Sequence, residues 1–202
     1  MKGMNVEANT ITYSALINAC GKSRQWEKAL EVFRQMQEEN VEANIFTYSA
    51  LISACSKGKQ WGKALEVFED MQAAGVEADQ ITYSAMISAC EKGKQVDKAL
   101  EVYAQMRKAK VPANTVTYNS LLSACEKGNQ WAKALEVFDQ MVKDGVHPDR
   151  VSYATLVAAC DRGAQAGRAL EFVDAMQKAG FDPDAGTHAS VASACGKAGM
   201  WD

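Results

Sequence analysis

The sequence predicts an all-α solenoid of stacked helical hairpins, and three observations predict it. Landmark residues recur at a fixed 35-residue step: Tyr13, Tyr48, Tyr83, Tyr118 and Tyr153, continued by His188; Cys20, Cys55, Cys90, Cys125, Cys160 and Cys195; Met36, Met71, Met106, Met141 and Met176. Between landmarks, apolar residues follow helical rather than alternating spacing. Three Pro and 14 Gly in 202 residues leave long periodic segments and little material for β-turns. Residues 45–79 match 80–114 at 21 of 35 positions without a gap, so the copies share one local structure.

Each element follows in order. Tyr13, Leu16, Ile17 and Cys20 fall at i, i+3, i+4 and i+7, on one face of a first helix. A Gly or Ser three residues after the Cys marks its end. Trp26, Ala29, Leu30 and Phe33, then Met36, give a second helix, closed by a turn such as Gly75-Val76. Helices of about a dozen residues are marginal alone in water, and one hairpin cannot cover its own apolar face, so hairpins must stack. Residues 1–9 read as the end of a truncated preceding repeat, with Met1 aligned on Met36. Five whole repeats follow at 10–44, 45–79, 80–114, 115–149 and 150–184, and 185–202 is a partial sixth, stopping at Met200, Trp201 and Asp202 where a second helix should begin.

Composition narrows the function. At 48% hydrophobic and 23% charged the chain has enough core formers to fold. A formal charge of −3, from 22 Lys plus Arg against 25 Asp plus Glu, excludes a basic carpet for duplex DNA or an anionic membrane. No apolar run reaches the roughly 18 residues of a membrane span, and MKGMNVEANT has neither a signal core nor an Arg-rich transit segment. No targeting segment and no membrane partner are therefore expected in this chain. His147 and His188 lie near no recognisable nucleophile or paired acid, and no P-loop, zinc-deaminase signature or carboxylate cluster occurs. The expectation is a non-enzyme without metal or cofactor.

Recurring columns carry the chemistry that remains. Cysteines 35 apart stack about 10 Å from one another, beyond the roughly 7 Å Cα separation that a disulfide spans, so they read as small buried fillers. The Trp26, Trp61 and Trp131 column reads as packing between helices, because Val96 and Ala166 replace it within the frame. Lys22, Lys57, Lys92, Lys127, Arg162 and Lys197 place one cation at the end of every first helix. Helix-dipole compensation accounts for a cation there, and stacking also aligns the six into a stripe suited to a phosphate backbone. Lys28 with Glu31, Lys63 with Glu66, Lys98 with Glu101 and Lys133 with Glu136 are i, i+3 pairs on the second helix.

The positions that vary while their surroundings repeat are the most informative. After each Tyr or its equivalent come Ser14, Ser49, Ser84, Asn119, Ala154 and Ala189; the repeats end in Asn44, Asp79, Asn114, Asp149 and Asp184. These side chains suit helix starts and turns on their own account. Two residues before the Tyr stand Ile11, Phe46, Ile81, Val116 and Val151, with Gly186 in the last copy.

The 35-residue period, the openings TYSALISAC and TYNSLLSAC, the middle KGKQWGKALEVFEDM and the ending GVHPD resemble the pentatricopeptide repeat family across essentially the whole chain. Tetratricopeptide repeats have a period of about 34 and carry their Trp in the first helix; here Trp opens the second. Pro148 and Pro183 match the commonest family ending, whereas Ala43, Ala78 and Ala113 depart from it. The resemblance implies a right-handed superhelix that binds single-stranded RNA at one base per repeat, 5′ to 3′ along the chain from N to C. It implies base reading by Ser14 with Asn44, Ser49 with Asp79, Ser84 with Asn114, Asn119 with Asp149 and Ala154 with Asp184. It also implies base sandwiching by Ile11, Phe46, Ile81, Val116 and Val151, and phosphate contact by the cationic column. G and U present an imino N–H that suits an Asp acceptor, whereas A and C present an imino acceptor that suits an Asn amide; small Ser leaves room for a purine and Asn favours a pyrimidine. The expected core is 5′-AGAU-3′, with the fifth repeat reading G or U. The family further implies a role in a mitochondrion or chloroplast, in RNA processing, stability, editing or translation, beside a separate RNA-processing enzyme. The alternative from another class is a helical-repeat scaffold for protein segments.

Overall fold

The computed structural model describes residues 9–199; Met1, Met200, Trp201 and Asp202 lie outside the described residues. Eleven helices of 13 residues follow one another there: α1 Thr10–Lys22, α2 Trp26–Glu38, α3 Ile45–Lys57, α4 Trp61–Ala73, α5 Gln80–Lys92, α6 Val96–Lys108, α7 Thr115–Lys127, α8 Trp131–Lys143, α9 Arg150–Arg162, α10 Ala166–Lys178 and α11 Ala185–Lys197. The fold is all-α and of the helical-repeat solenoid type. The chain divides between Gly93 and Lys94 into two compact halves.

In the first half α1 packs on α3 and α3 on α5, while α2 and α4 each bridge the first helix of their own hairpin and that of the next. The second half repeats the plan: α7, α9 and α11 form the packed layer, and α8 and α10 lie across it. Small side chains let the first helices approach closely. Ala54, Ala89, Ala124, Ala159 and Ala194 are buried, and a Cβ on Gly21 would sit 3.1 Å from the Cβ of Ala54.

Two contacts repeat between hairpins. Phe33 meets Tyr48 edge-on at 5.7 Å, as Phe68 meets Tyr83 and Tyr103 meets Tyr118, an arrangement that adds about 0.5–1.5 kcal/mol beyond burial. Trp26, Trp61 and Trp131 each press on the glycine that caps the next first helix: a Cβ on Gly58, Gly93 or Gly163 would lie 2.4 Å from the indole Cδ1. These glycines have φ between −75° and −86°, so close approach rather than backbone conformation requires them. Where the tryptophan is replaced by Ala166, the cap 32 residues on is Ala198. The turns do use left-handed backbone: φ is +70° at Gly75, +72° at Gly145 and +85° at Gly180, with Asn40 and Lys110 in the same role.

Three sequence expectations change here. Leu16 is 49% exposed, because no described helix stacks on that side of α1, whereas Leu51, Met86, Leu121 and Leu156 at the same position are fully buried. Lys63–Glu66 and Lys98–Glu101 pair within their helices at 2.7 Å, but Lys133 reaches instead to Asp97 at 3.0 Å, a neighbour supplied by stacking. Cys55, Cys90, Cys125 and Cys160 are buried and unbridged as expected, while Cys20 and Cys195 are half-exposed. Burial pushes the thiols of Cys55, Cys125 and Cys160 up to about 11.

Candidate nucleic-acid interface

Every first helix starts with the same cap. Asn9, Asn44, Asp79, Asn114, Asp149 and Asp184 stand at the N-cap, and Oδ1 of each accepts the backbone N–H three residues on, at 2.8–3.1 Å. The hydroxyl of that same residue, Thr12, Thr47, Thr82, Thr117, Ser152 or Thr187, also donates to Oδ1. Because a backbone N–H only donates, the cap fixes the orientation of the side chain. Oδ1 faces the helix, so an Asn turns its Nδ2 donor away from it and an Asp turns a second acceptor.

The Thr/Ser column does a second job. Ser14 Oγ lies 2.8 Å from Thr47 Oγ1, Ser49 hydrogen-bonds Thr82 in the same way, and Ser152 Oγ, whose one proton is shared between Asp149 Oδ1 and Asn119 Oδ1, lies 2.7 Å from the latter. The two variable side chains of these repeats are thus joined through one buried hydroxyl of the following helix. A hydroxyl has a single proton. Thr47 gives its proton to Asn44, so Ser14 donates to Thr47 and keeps its oxygen free as an acceptor. Sequence reasoning passed over this column; the signal was a hydroxyl residue directly before the Tyr or His in all six copies.

Asn119 and Asp149 also touch directly. Asn119 Nδ2 donates to Oδ1 and Oδ2 of Asp149 at 3.1 and 3.3 Å. Partial burial alone would raise the carboxyl of Asp149. The hydrogen bonds from the Ser152 backbone, the Asn119 amide and the Ser152 hydroxyl outweigh it and hold the group below the ordinary carboxylate range. Ala154 offers no such bond to Asp184, and Ser84 and Asn114 fall in different halves.

Beside the caps of each half, apolar side chains are left in solvent. Ile11, Phe46, Ile81, Val116 and Val151 are 56–77% exposed although each sits in the first turn of a helix. Packing at the helix start therefore does not explain them. In the first half a cavity of about 380 Å³ opens between Phe46 and Ile81, with Ser14, Ser49 and Asp79 in its wall. In the second half one of about 360 Å³ is lined by Val151, Ala154 and Asp184.

The cationic column ends the first helices, and stacking gives it partners. Lys92 Nζ donates to Ser56 Oγ at 3.1 Å, Arg162 pairs with Glu126 at 2.5 Å, and Lys197 pairs with Asp161 at 2.9 Å. Partial burial would raise Asp161, but hydrogen bonds from Lys197 and Ser193 hold it down. The partner is in each case the residue 36 positions earlier, so part of the positive stripe is neutralised before any ligand arrives. Lys22 and Lys57 are exposed, and the residue 36 before Lys57 is Gly21, which offers no acid. Lys127 is exposed on the same column. Among the described residues no group of three His, Cys, Asp or Glu is placed to hold a metal ion, and no helix is long and apolar enough to cross a membrane.

Comparison with known proteins points the same way. The family model described as the pentacotripeptide-repeat region of PRORP matches residues 2–193. Among solved structures, the pentatricopeptide repeat protein PPR10 from maize superposes with a TM-score of 0.76 at 29% identity, over 96% of this chain and 28% of that one. PPR10 in complex with an 18-nt psaJ RNA element gives 0.70 at 27% identity, over 97% and 27%. The PPR domain of Arabidopsis thaliana protein-only RNase P 1 in complex with tRNA gives 0.82 at 16% identity, over 93% and 98%, a likeness of fold. The chain spans little more than a quarter of the length of PPR10. No curated protein sequence matches it.

Proposed function

The chain belongs to the pentatricopeptide repeat family, and from that premise we propose that it binds single-stranded RNA sequence-selectively, one base per repeat, without catalysing a reaction of its own. One observation carries this: the caps turn the amide donor of an Asn, or the second carboxylate oxygen of an Asp, away from the helix, beside exposed apolar side chains. Such a pattern discriminates imino acceptors from imino donors, and the apolar side chains supply faces between which bases stack. PPR10 and PRORP1, to which the chain is similar, are solved with RNA and tRNA bound.

The reading pairs are Ser14 with Asn44, Ser49 with Asp79, Ser84 with Asn114, and Asn119 with Asp149, giving 5′-AGAU-3′. Ile11, Phe46, Ile81, Val116 and Val151 sandwich the bases, Phe46 most strongly. Lys22, Lys57, Lys92, Lys127, Arg162 and Lys197 meet the phosphates. At about 1–2 kcal/mol per repeat, four or five repeats reach roughly 4–10 kcal/mol, or millimolar to submicromolar affinity. Selecting one transcript takes more bases than these repeats read, which suits a part in a longer array acting in organellar RNA processing, stability, editing or translation.

The test is fluorescence anisotropy with AGAU-containing and scrambled oligonucleotides across a salt series. Five free phosphate contacts would give a log-affinity against log-salt slope of about −3.5. Because Arg162 and Lys197 already hold acids, the slope falls short of that value. Asn119→Ser moves the fourth-base preference from U toward G; an unchanged preference refutes that assignment, and equal binding of scrambled RNA refutes base reading.

A further inference from the structure

The fifth reading pair is incomplete by the logic above, since the Ala154 side chain offers no hydrogen bond, yet its cavity holds a side chain absent from the other copies. Arg150 lines the same cavity as Val151, Ala154, Ala158 and Asp184. The equivalent positions are Thr10, Ile45, Gln80, Thr115 and Ala185. One guanidinium nitrogen of Arg150 donates to the carbonyl of Asp182 at 2.6 Å, two residues before Asp184, which anchors the group and leaves most of its five N–H donors uncommitted. Asp184 is held below the ordinary carboxylate range, chiefly by the Thr187 backbone and hydroxyl and in smaller part by the nearby Arg150 charge. The cavity's other acid, Glu126, is engaged by Arg162.

We propose that Arg150 is a third base-reading side chain, which with Asp184 selects guanine at the fifth nucleotide; this deepens the base-reading function above and rests on it. Asp184 accepts from an imino N–H, so it admits G or U. Only guanine adds two adjacent acceptors, O6 and N7, that match the two-pronged donor face of an arginine. Uracil offers a single carbonyl on that edge. Ala154 and Ala158 leave the room that a purine needs. Arg150 thus decides between the two bases that Asp184 leaves open.

The test uses the full chain and the four RNAs 5′-AGAUN-3′. Wild type is expected to bind AGAUG about tenfold more tightly than AGAUU, the size of one bidentate base contact. Arg150→Thr removes that margin and leaves the preferences at the first four bases unchanged. Its fold is secured by precedent, since Thr10 Oγ1 caps the Glu42 carbonyl at 2.9 Å in the first repeat, and an unchanged thermal melt verifies it. Arg150→Lys keeps the charge but not the fork, so it also loses the margin. Replacing the fifth guanine by 7-deazaguanine weakens wild type and leaves Arg150→Thr unaffected. Equal weakening of all four RNAs in Arg150→Thr, or full rescue by Arg150→Lys, makes Arg150 a phosphate contact and overturns the proposal. So does an AGAUG preference that survives in Arg150→Thr. If the first four bases are discriminated and the fifth is not, the Arg150 assignment alone fails; if none is discriminated, base reading itself fails.

Discussion

Thr82 separates shape from hydrogen bonding at a reading pair. Its side chain is fully buried, and valine has nearly the same form without the hydroxyl. That hydroxyl donates to Asp79 Oδ1 at 2.7 Å and hydrogen-bonds Ser49. A hydrogen bond to a charged group contributes about 1.5–3 kcal/mol and a neutral one about 0.5–1.5. Asp79 keeps the backbone N–H of residue 82 at 2.8 Å, and both Asp79 and Ser49 are partly exposed, so water recovers some of the loss. Thr82→Val is therefore expected to cost about 1–2 kcal/mol of stability in urea denaturation. In RNA binding it unties Ser49, whose ordering is worth about 0.5–1.5 kcal/mol, so affinity for AGAU falls about 2- to 12-fold. Discrimination is lost at the second base only. Thr82→Ser, which restores the arrangement found naturally at Ser152, keeps the discrimination. If Thr82→Val retains the G preference, or Thr82→Ser loses it equally, the hydroxyl does not organise the pair.

Three further outcomes follow from the packing and the charges. Glu126→Gln weakens the hold on Arg162 and removes a negative charge from the proposed RNA path; affinity rises about 2- to 5-fold, and the salt slope steepens, whereas weaker binding would contradict the assignment. Gly163→Ala drives a Cβ to 2.4 Å from Trp131 Cδ1 and costs about 1–3 kcal/mol in thermal melts. Adding Trp131→Ala recovers part of that loss, as the natural Ala166 and Ala198 pair implies; strict additivity of the two changes would count against the lock. Brief iodoacetamide treatment of native protein labels Cys20 and Cys195 before the four buried thiols, as read by mass spectrometry, because burial both shields the four and, at Cys55, Cys125 and Cys160, raises the thiol to about 11.

Much of the fold was legible because its causes are local. Helical spacing of Tyr13, Ile17 and Cys20, a cap-forming Asn or Asp before each first helix, and Gly at the left-handed turns act within a few residues of one another. Leu16 escaped because its burial depends on a neighbour that its own hairpin does not supply. Lys133 escaped for the same reason: Glu136 is three residues away on the helix, but Asp97 on the preceding hairpin is the partner that it meets.

At the site the division is similar. Which residues vary, which of them hydrogen-bond and which stay apolar could be read along the chain. The direction in which Asn44 or Asp79 points its second polar atom, the coupling of Ser14 to Asn44 through Thr47, the acids facing Arg162 and Lys197, and the entry of Arg150 into the fifth cavity could not.

The sequence by itself determined the repeat, the helices and the chemical type of each column, since each copy restates the same short-range preferences five times over. Only the tertiary structure decided which atoms of neighbouring copies meet. Those meetings join residues 32, 33 or 36 apart, separations fixed by how one hairpin stacks on the next and by no spacing within a single helix.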